Sequence, residues 1–165
     1  MRRSSYYLTC DRVNGVLTVY TDSTMRIPIK TIRVSVGKAG TETPTGTWTM
    51  HRAGRWQELM GPSWGQYGTH VVNGIFVHSV ACGQANSYNL PVGEYLRLGN
   101  PASHGCIRAC VADAKWVWDN CNGSKIHIFD GTYTSNEALK GPLGRKALTP
   151  LRGSKNFDPT DPACK

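Results

Sequence analysis

Alternating apolar and polar positions predict that the first part of the chain consists of short β-strands. Two β-rich runs, Ser5–Cys10 and Val16–Tyr20, are separated by Asn14-Gly15, a dipeptide that strongly favours a two-residue hairpin. A third run, Lys30–Val36, alternates branched apolar residues with polar ones, as a half-buried strand does. The pattern therefore predicts three strands, the first two joined by a tight turn.

The middle of the chain predicts further strands and one irregular segment. Thr47–His51 has strand composition, and Val71–Val80 contains an Asn73-Gly74 turn followed by an apolar run that ends at His78. Residues 52–70 are rich in glycine and tryptophan and predict an irregular loop. A histidine is thus expected at the end of an apolar strand.

One helix is predicted, directly after Arg108. Apolar residues there recur at helical spacing and form one continuous face: Cys110, Ala114, Val117, Trp118 and Cys121. Gly123 stands where a left-handed cap would end the helix, and Ser124–Phe129 predicts a final core strand. We therefore expect a core over residues 1–130 and an extended tail over 131–165 that packs on the same domain.

Length and composition indicate one globular domain. The 165 residues suffice for a single core, and 39% hydrophobic with 18% charged residues is an ordinary folded composition. No apolar run has membrane-spanning length, so no transmembrane segment is expected. Met1–Ser5 has no apolar segment after its charges, so no signal peptide is visible; we expect a domain taken from a longer exported protein.

The net charge of +8 favours a polyanionic partner. Nucleic acid, anionic lipid and anionic wall polymers all meet that description, and charge alone does not choose among them. The basic residues are scattered and form no stripe that resembles a nucleic-acid motif. Nucleic acid is therefore the disfavoured partner.

Six cysteines raise the question of disulfides: Cys10, Cys82, Cys106, Cys110, Cys121 and Cys164. Their spacing is uneven and contains no C-x-x-C pair, so their pairing stays open. If one cysteine must remain a free thiolate, five are left, and at least one more is then unpaired.

The segment Ser103–Arg108 contains the chain's most informative cysteine. Cys106 lies between a histidine and an arginine, shortly before the predicted helix, and a thiol becomes a good nucleophile when a positive field or a base favours its thiolate. Gly105 permits a positive φ and a close approach of substrate, and consecutive backbone N–H groups near Cys106 can form an oxyanion hole. Alone, however, the tripeptide also fits a buried structural cysteine in a turn.

His78 is the candidate general base. A base needs its second ring nitrogen held by an acceptor, so that one tautomer faces the thiol. No acidic residue flanks His78, so the main-chain carbonyl of Ser79 is the expected acceptor. Tyr67, in the loop before His78, is expected to line the substrate cleft.

Taken together, these segments resemble the signature of L,D-transpeptidase (YkuD-type) catalytic domains. His78-Ser79, a long loop and then Ser103-His104-Gly105-Cys106-Ile107-Arg108 carry the resemblance. It extends to other segments: Gly37-Lys38, Thr43–Gly46, Asp113–Trp116, Asp119-Asn120, Gly141–Gly144 and Asp158–Pro162, the last two similar to a version found in Gram-positive bacteria.

The resemblance implies a fold and a role for each residue of the motif. The fold would be mainly β, a sandwich or barrel-like core with one main helix after the nucleophile. Cys106 would be the nucleophile, His78 its base, the Ser79 carbonyl its orienting group, and His104 a wall of the pocket. Gly105 and Cys106 would supply oxyanion-hole amides. Ser103 would contact substrate, and Arg108 would position the motif or meet a substrate carboxylate.

The implied reaction is acyl transfer between peptidoglycan stem peptides through a cysteine thioester, giving 3→3 cross-links. Attack by water in place of an amine would make the protein an L,D-carboxypeptidase or a wall-hydrolysing cysteine peptidase. The implied enzyme acts outside the cell at the wall as a monomer without a cofactor, and anionic wall polymers are further candidate partners. It would also be a target of carbapenems.

Two other interpretations and one departure from the family pattern remain. His78, His104, Cys106 and Cys110 include zinc-ligand types, but C-x3-C without a second matching pair is weak for a metal site. A non-catalytic wall-binding module is the other alternative. The departure is the loop Val80–Ser103, which is longer than in much of the family; within it, the polar stretch Asn86–Gly99 is expected to form a lid or a substrate wall.

Overall fold

A computed structural model describes residues 5–153 and 156–164 of the chain. Within these ranges it forms eleven strands: β1 (Tyr7–Asp11), β2 (Val16–Tyr20), β3 (Pro28–Arg33), β4 (Gly46–Thr49), β5 (His51–Arg52), β6 (Trp56–Leu59), β7 (Ser63–Gln66), β8 (Thr69–Val72), β9 (Ile75–Ser79), β10 (Ile107–Ala109) and β11 (Lys125–Phe129). The helices are α1 (Val92–Leu96) and α2 (Val111–Asn120), with a 3-10 turn at Glu137–Leu139. Neither α-helix of the described chain has the length and apolar character needed to cross a bilayer.

The strands form two main sheets and a hairpin. The larger sheet has the order β3-β2-β1-β11-β4, and the second has the order β10-β9-β8-β5. Two pairs, β1 with β11 and β9 with β10, are parallel, whereas the other pairs are antiparallel. Strands β6 and β7 form a separate antiparallel hairpin. The prediction of a mainly β fold with one main helix after the nucleophile segment is confirmed.

The core fills the space between the two sheets and helix α2. Leu8 and Ile126 of the larger sheet belong to one buried cluster with Val77 and Ile107 of the second sheet and Val117 of the helix. Each lies at an inward position of its strand or helix, so burial of these side chains fixes the strand registers. Strand β9, which carries the candidate base, and strand β10, which directly follows the candidate nucleophile, are therefore anchored in the main core.

Residues 52–70 contain β-structure, and the prediction of an irregular loop there is wrong. Strands β6 and β7 pair from Trp56 opposite Gln66 to Leu59 opposite Ser63, and β8 begins at Thr69. Most side chains of β6 and β7 are half-buried or exposed, so their sequence lacks the apolar alternation that reveals a strand against a core. Hydrogen bonds within the hairpin, rather than burial, define these strands.

The polar stretch expected to be a lid is packed into the fold. Helix α1 lies within it, and the Tyr95 side chain is fully buried in a cluster with Val80, Leu90 and Leu98. The Tyr95 hydroxyl donates a hydrogen bond to the Thr149 carbonyl at 2.5 Å. The expectation of a lid or substrate wall is therefore wrong for this stretch, because an aromatic anchor ties it to the C-terminal tail.

The tail contacts the core through buried polar groups. Asp158 accepts a hydrogen bond from the Val111 amide at 2.8 Å, at the start of helix α2. Asp161 accepts one from the Gln66 side chain at 3.0 Å, and Arg145 donates to the Gly99 carbonyl at 2.7 Å. The tail thus binds next to the helix that follows the candidate nucleophile.

Candidate active site

Parallel pairing of β9 with β10 brings the candidate nucleophile and base together. Val77 is opposite Ile107 and His78 is opposite Arg108. Because side chains two positions apart project from the same face of a strand, Phe76 and His78 share the face on which Cys106 and Arg108 lie. All four line one cavity of about 240 Å³.

The same cavity is closed by residues from three other segments. Its remaining lining residues are Glu58, Leu59, Met60 and Ser63 from the β6–β7 hairpin, Gly74 and Ala81 at the two ends of β9, and Ser103 and His104 before the nucleophile. His104 is exposed at the rim, whereas Ser103 is buried. The cavity is therefore bordered by exposed residues of the hairpin, Glu58 and Met60, and by buried residues such as His78 and Ser103.

Buried hydroxyl groups hold the nucleophile segment in place. The Ser103 hydroxyl donates to the Cys106 carbonyl at 2.6 Å and accepts from the Gly105 amide at 3.1 Å. The Thr43 hydroxyl donates to the Gly105 carbonyl at 2.6 Å and accepts from the Gly37 amide at 2.9 Å. Gly105 has a φ of 128°, a conformation that L side chains rarely adopt. The backbone around the thiol is thus fixed before any substrate arrives.

This arrangement changes the roles expected of Gly105 and Ser103. The Gly105 amide already donates to the Ser103 hydroxyl, so it is not available to an oxyanion as the resemblance implied. The amide of Cys106 remains as the expected donor. The Ser103 hydroxyl is engaged at both its donor and acceptor sites by the loop, so its observed part is to shape the loop.

The Cys106 thiol lies in a setting that partly favours its thiolate. The Phe76 amide donates to Cys106 Sγ at 3.4 Å, and the thiol in turn donates to the Gly74 carbonyl at 3.5 Å. Burial raises the pKa of Cys106 above its ordinary value, while the Phe76 hydrogen bond and the Arg108 charge lower it. The resting group is therefore a neutral thiol whose anion has two stabilising neighbours.

The other cysteines lack this combination. Burial raises the pKa of Cys10 and of Cys121 to about 12, and that of Cys82 to about 11. The pKa of Cys110 rises to about 12, through burial and then through the nearby Asp113 carboxylate. All six cysteines are free thiols in the structure. Among them, Cys106 has a cation and an amide donor acting together on its sulfur.

His78 is buried and held by the main chain. Its Nδ1 contacts the Ser79 carbonyl, and because a carbonyl only accepts, Nδ1 carries the proton and Nε2 is left unprotonated. The pKa of His78 is lowered to about 4, mainly by burial and also by the Arg108 charge, while the Ser79 hydrogen bond opposes both. At neutral pH the imidazole is uncharged and has one nitrogen able to accept a proton.

The β6–β7 hairpin packs directly on the imidazole. A Cβ added at Gly65 would lie 2.6 Å from His78 Nδ1, so only glycine fits against the ring there. The Gln66 amide donates to the Ser79 hydroxyl at 2.8 Å, and Trp64 and Cys82 exchange backbone hydrogen bonds at 2.7 and 2.8 Å. Sequence reasoning missed this hairpin, although a glycine between Trp64 and Gln66 was a signal for close approach.

Arg108 supplies the positive charge of the cavity. Its guanidinium forms an ion pair with Glu94 of helix α1 at 2.8 Å, while its Nε is buried without a hydrogen-bond partner in the described residues. Its backbone exchanges hydrogen bonds with Ser35 at 2.8 and 2.9 Å. Glu94, which sequence reasoning did not single out, thus fixes the side chain that acts electrostatically on both Cys106 and His78.

Tyr67 lies away from the cavity, so its expected position in the cleft is wrong. Its backbone has a φ of 54°, and its ring packs edge-on against Trp118 with 5.4 Å between centroids. It belongs to a buried cluster with Val111 and Ala114 of helix α2. The left-handed turn at Tyr67 directs the ring into the helix and not toward His78.

Potential metal ligands are not grouped in the described part of the chain. No cluster of three or more His, Cys, Asp and Glu side chains is arranged there to hold an ion. The zinc interpretation of His78, His104, Cys106 and Cys110 has no such cluster to support it.

Comparison with known proteins identifies similar sequences and folds. The family model YkuD, described as the L,D-transpeptidase catalytic domain, matches residues 5–138. The YciB protein of Bacillus subtilis (strain 168) is 59% identical over 27 residues, which are 16% of this chain and 14% of that protein.

Two solved structures show the similarity of fold. An L,D-transpeptidase (Yku) from Stackebrandtia nassauensis is 19% identical with a TM-score of 0.59, over 78% of this chain and 57% of that one. The LD transpeptidase LdtMt1 in complex with imipenem is 21% identical with a TM-score of 0.57, over 76% of this chain and 59% of that one. This chain thus spans less than two thirds of the length of these structures.

Proposed function

The chain belongs to the family of L,D-transpeptidase catalytic domains, and on that premise we propose that it transfers acyl groups between peptidoglycan stem peptides through a thioester on Cys106. The observation that carries the proposal is the shared cavity of His78, on β9, and Cys106, directly before the adjacent parallel strand β10. The product is a 3→3 cross-link, formed outside the cell at the wall.

Acylation begins from a neutral thiol and a neutral imidazole. As the sulfur attacks the donor carbonyl, His78 Nε2 takes the thiol proton. The Nδ1–H group remains hydrogen-bonded to the Ser79 carbonyl. The Phe76 amide and the Arg108 charge stabilise the negative charge that develops on sulfur. The Cys106 amide stabilises the oxyanion, and the terminal D-amino acid leaves with the proton from His78.

Deacylation repeats these steps with a second nucleophile. A side-chain amine of another stem attacks the thioester carbonyl, a C–N bond forms, and the C–S bond breaks with its electron pair on sulfur. His78 accepts the amine proton and returns it to the thiolate. If water takes the place of the amine, the same residues perform L,D-carboxypeptidase or peptidase chemistry.

Intact-mass spectrometry with imipenem tests the nucleophile. We expect one covalent adduct on the parent chain and none on Cys106→Ala, because the β-lactam carbonyl replaces the donor carbonyl at the thiol. Cys110→Ala is the matched control: it removes another half-buried thiol and should keep the adduct. An adduct that survives Cys106→Ala would show that another thiol is the nucleophile.

The nature of the acceptor needs a separate measurement. The parent chain, incubated with purified sacculi that are then digested, should yield new stem dimers in mass spectra. Shortened stems without new dimers would identify the protein as a hydrolase. A chain with neither product and no imipenem adduct would be the non-catalytic wall-binding module.

A further inference from the structure

The carboxylate of one acidic residue of the cavity, Glu58, has no hydrogen-bond or ion-pair partner within residues 5–153 and 156–164. The chain contains 11 Asp and Glu residues, and all lie in the described ranges. Within those ranges, each of the others has a hydrogen bond or an ion pair. Glu58 is exposed and lines the cavity of Cys106, and its carboxylate has neither. In a protein with a net charge of +8, this carboxylate is thus free to pair with a cation that a ligand brings.

Glu58 also carries the unpaired carboxylate of the cavity lining. Of the Asp, Glu, Lys and Arg side chains that line it, the other is Arg108, which is already paired with Glu94 at 2.8 Å; Glu94 also pairs with Arg97 at 3.6 Å. His78 is uncharged at neutral pH because burial lowers its pKa to about 4. The carboxylate of Glu58 is therefore positioned to attract a cation to the mouth of the cavity.

The position of Glu58 is fixed by the hairpin that covers the base. Glu58 is opposite Trp64 in the β6–β7 pair. The backbone amide and carbonyl of Trp64 both form hydrogen bonds with the backbone of Cys82. The next residue of β7, Gly65, touches the His78 ring. Glu58 and His78 line the same cavity, so a nucleophile that arrives to give its proton to the imidazole enters a space bordered by this carboxylate.

We propose that Glu58 binds the ammonium group of the acceptor amine and so favours transfer over hydrolysis. This inference rests on the proposed function. A lysine-type amine has a pKa of about 10.4 and reaches the enzyme protonated. Bound at Glu58, it loses one proton to solvent; the neutral amine then attacks the thioester, and the second proton passes to His78. A single carboxylate suits one ammonium ion, whereas a divalent cation requires several oxygen ligands.

A competition between two nucleophiles tests the inference. The acyl-enzyme is formed from a stem tetrapeptide and offered Nα-acetyl-lysine amide, a cation, together with hydroxylamine, which is neutral at pH 7. For Glu58→Gln we expect the ratio of lysine to hydroxylamine product to fall about threefold, with a raised KM for the lysine amine, as one exposed charge pair predicts. The difference between parent and variant should shrink as salt is added.

Glu42→Gln is the matched control, because it removes an exposed carboxylate outside the cavity and should keep the parent ratio. An unchanged ratio in Glu58→Gln would overturn the inference. So would a raised KM for the donor peptide with the ratio unchanged, which would assign Glu58 to the donor. A parent chain that forms no acyl-enzyme would instead refute the proposed function, so the two failures are distinguishable.

Discussion

Gly65 sets the position of the base through the absence of a side chain. The His78 ring is enclosed by the Ser79 carbonyl on its own strand and by the backbone of β7, which approaches the ring at Gly65. Such a close approach excludes water from Nδ1 and keeps that nitrogen protonated toward the carbonyl. The tautomer that the proposed base role requires of His78 is therefore fixed by packing, without the carboxylate that often performs this task.

Gly65→Ala should disable the site while leaving the fold intact. The added methyl would lie 2.6 Å from His78 Nδ1 and 2.8 Å from Cγ, so the imidazole must shift. We expect the rate of acylation by imipenem to fall about a hundredfold, as a misplacement of about 1 Å can cause. Gly93→Ala is the control, since its Cβ meets nothing within 4 Å. Parent-like acylation by Gly65→Ala would contradict this account.

The sequence singled out the candidate nucleophile and base but not the residues around them. Cys106, His78 and Ser79 could be proposed because the chemistry limits the choice of residue type and the motif places them at strand ends. Glu58, Glu94 and Gly65 were not, because their positions depend on the register of a hairpin and on a salt bridge between distant segments. Contacts of this kind leave no local pattern in the sequence.

Helix α2 illustrates how an element depends on a distant segment. Its N-cap residue, Cys110, forms no side-chain capping bond. Asp158 supplies the cap instead: it accepts the Val111 amide at 2.8 Å and is itself held by the Thr160 amide at 2.8 Å, and Thr160 also accepts the Ala112 amide. The helix was predictable from its apolar face, whereas the source of its cap was not, because 47 residues separate the partners.

Asp158→Ala should destabilise the whole domain through this helix. It leaves the Val111 amide unsatisfied in a buried position, so we expect a loss of about 1–2 kcal/mol in the free energy of unfolding. Urea denaturation followed by circular dichroism measures it. Asp119→Ala removes a half-buried carboxylate of the same helix, which pairs with Lys115, and should cost less than about 0.5 kcal/mol. Equal losses for both variants would refute the capping role.

Strands β1, β2 and β11 were predictable because they lie at central positions of the larger sheet, where burial selects apolar and β-branched residues. Strands β6 and β7 lie outside both main sheets, and helix α1 has only five residues, so neither has a periodic face long enough to recognise. The elements that could be predicted from the sequence are those long enough to show a pattern of buried apolar residues.

For the molecule as a whole, the buried imidazole couples stability to pH. The unfolded chain protonates His78 near its ordinary pKa of 6.5, whereas the folded chain does so only near 4. Between these values the unfolded state binds more protons, so stability falls as the pH decreases from 6.5 to 4. The shift corresponds to about 3 kcal/mol.

Comparing unfolding of the parent chain and His78→Gln across this pH range isolates the effect, because the other titrating groups are common to both. The parent should lose stability toward pH 4 more steeply than the variant. Parallel pH profiles would show that His78 is not held neutral by the fold.

The contact between Asp158 and helix α2 can form only after the tail has been synthesised. Residues leave the ribosome from the N-terminus onward, so Cys106 and the helix behind it emerge well before Asp158, which secures that helix. A nascent chain carries the thiol of Cys106 beside an uncapped helix until Asp158 has been synthesised. The synthesis of Asp158 then determines when helix α2 acquires the cap seen in the structure.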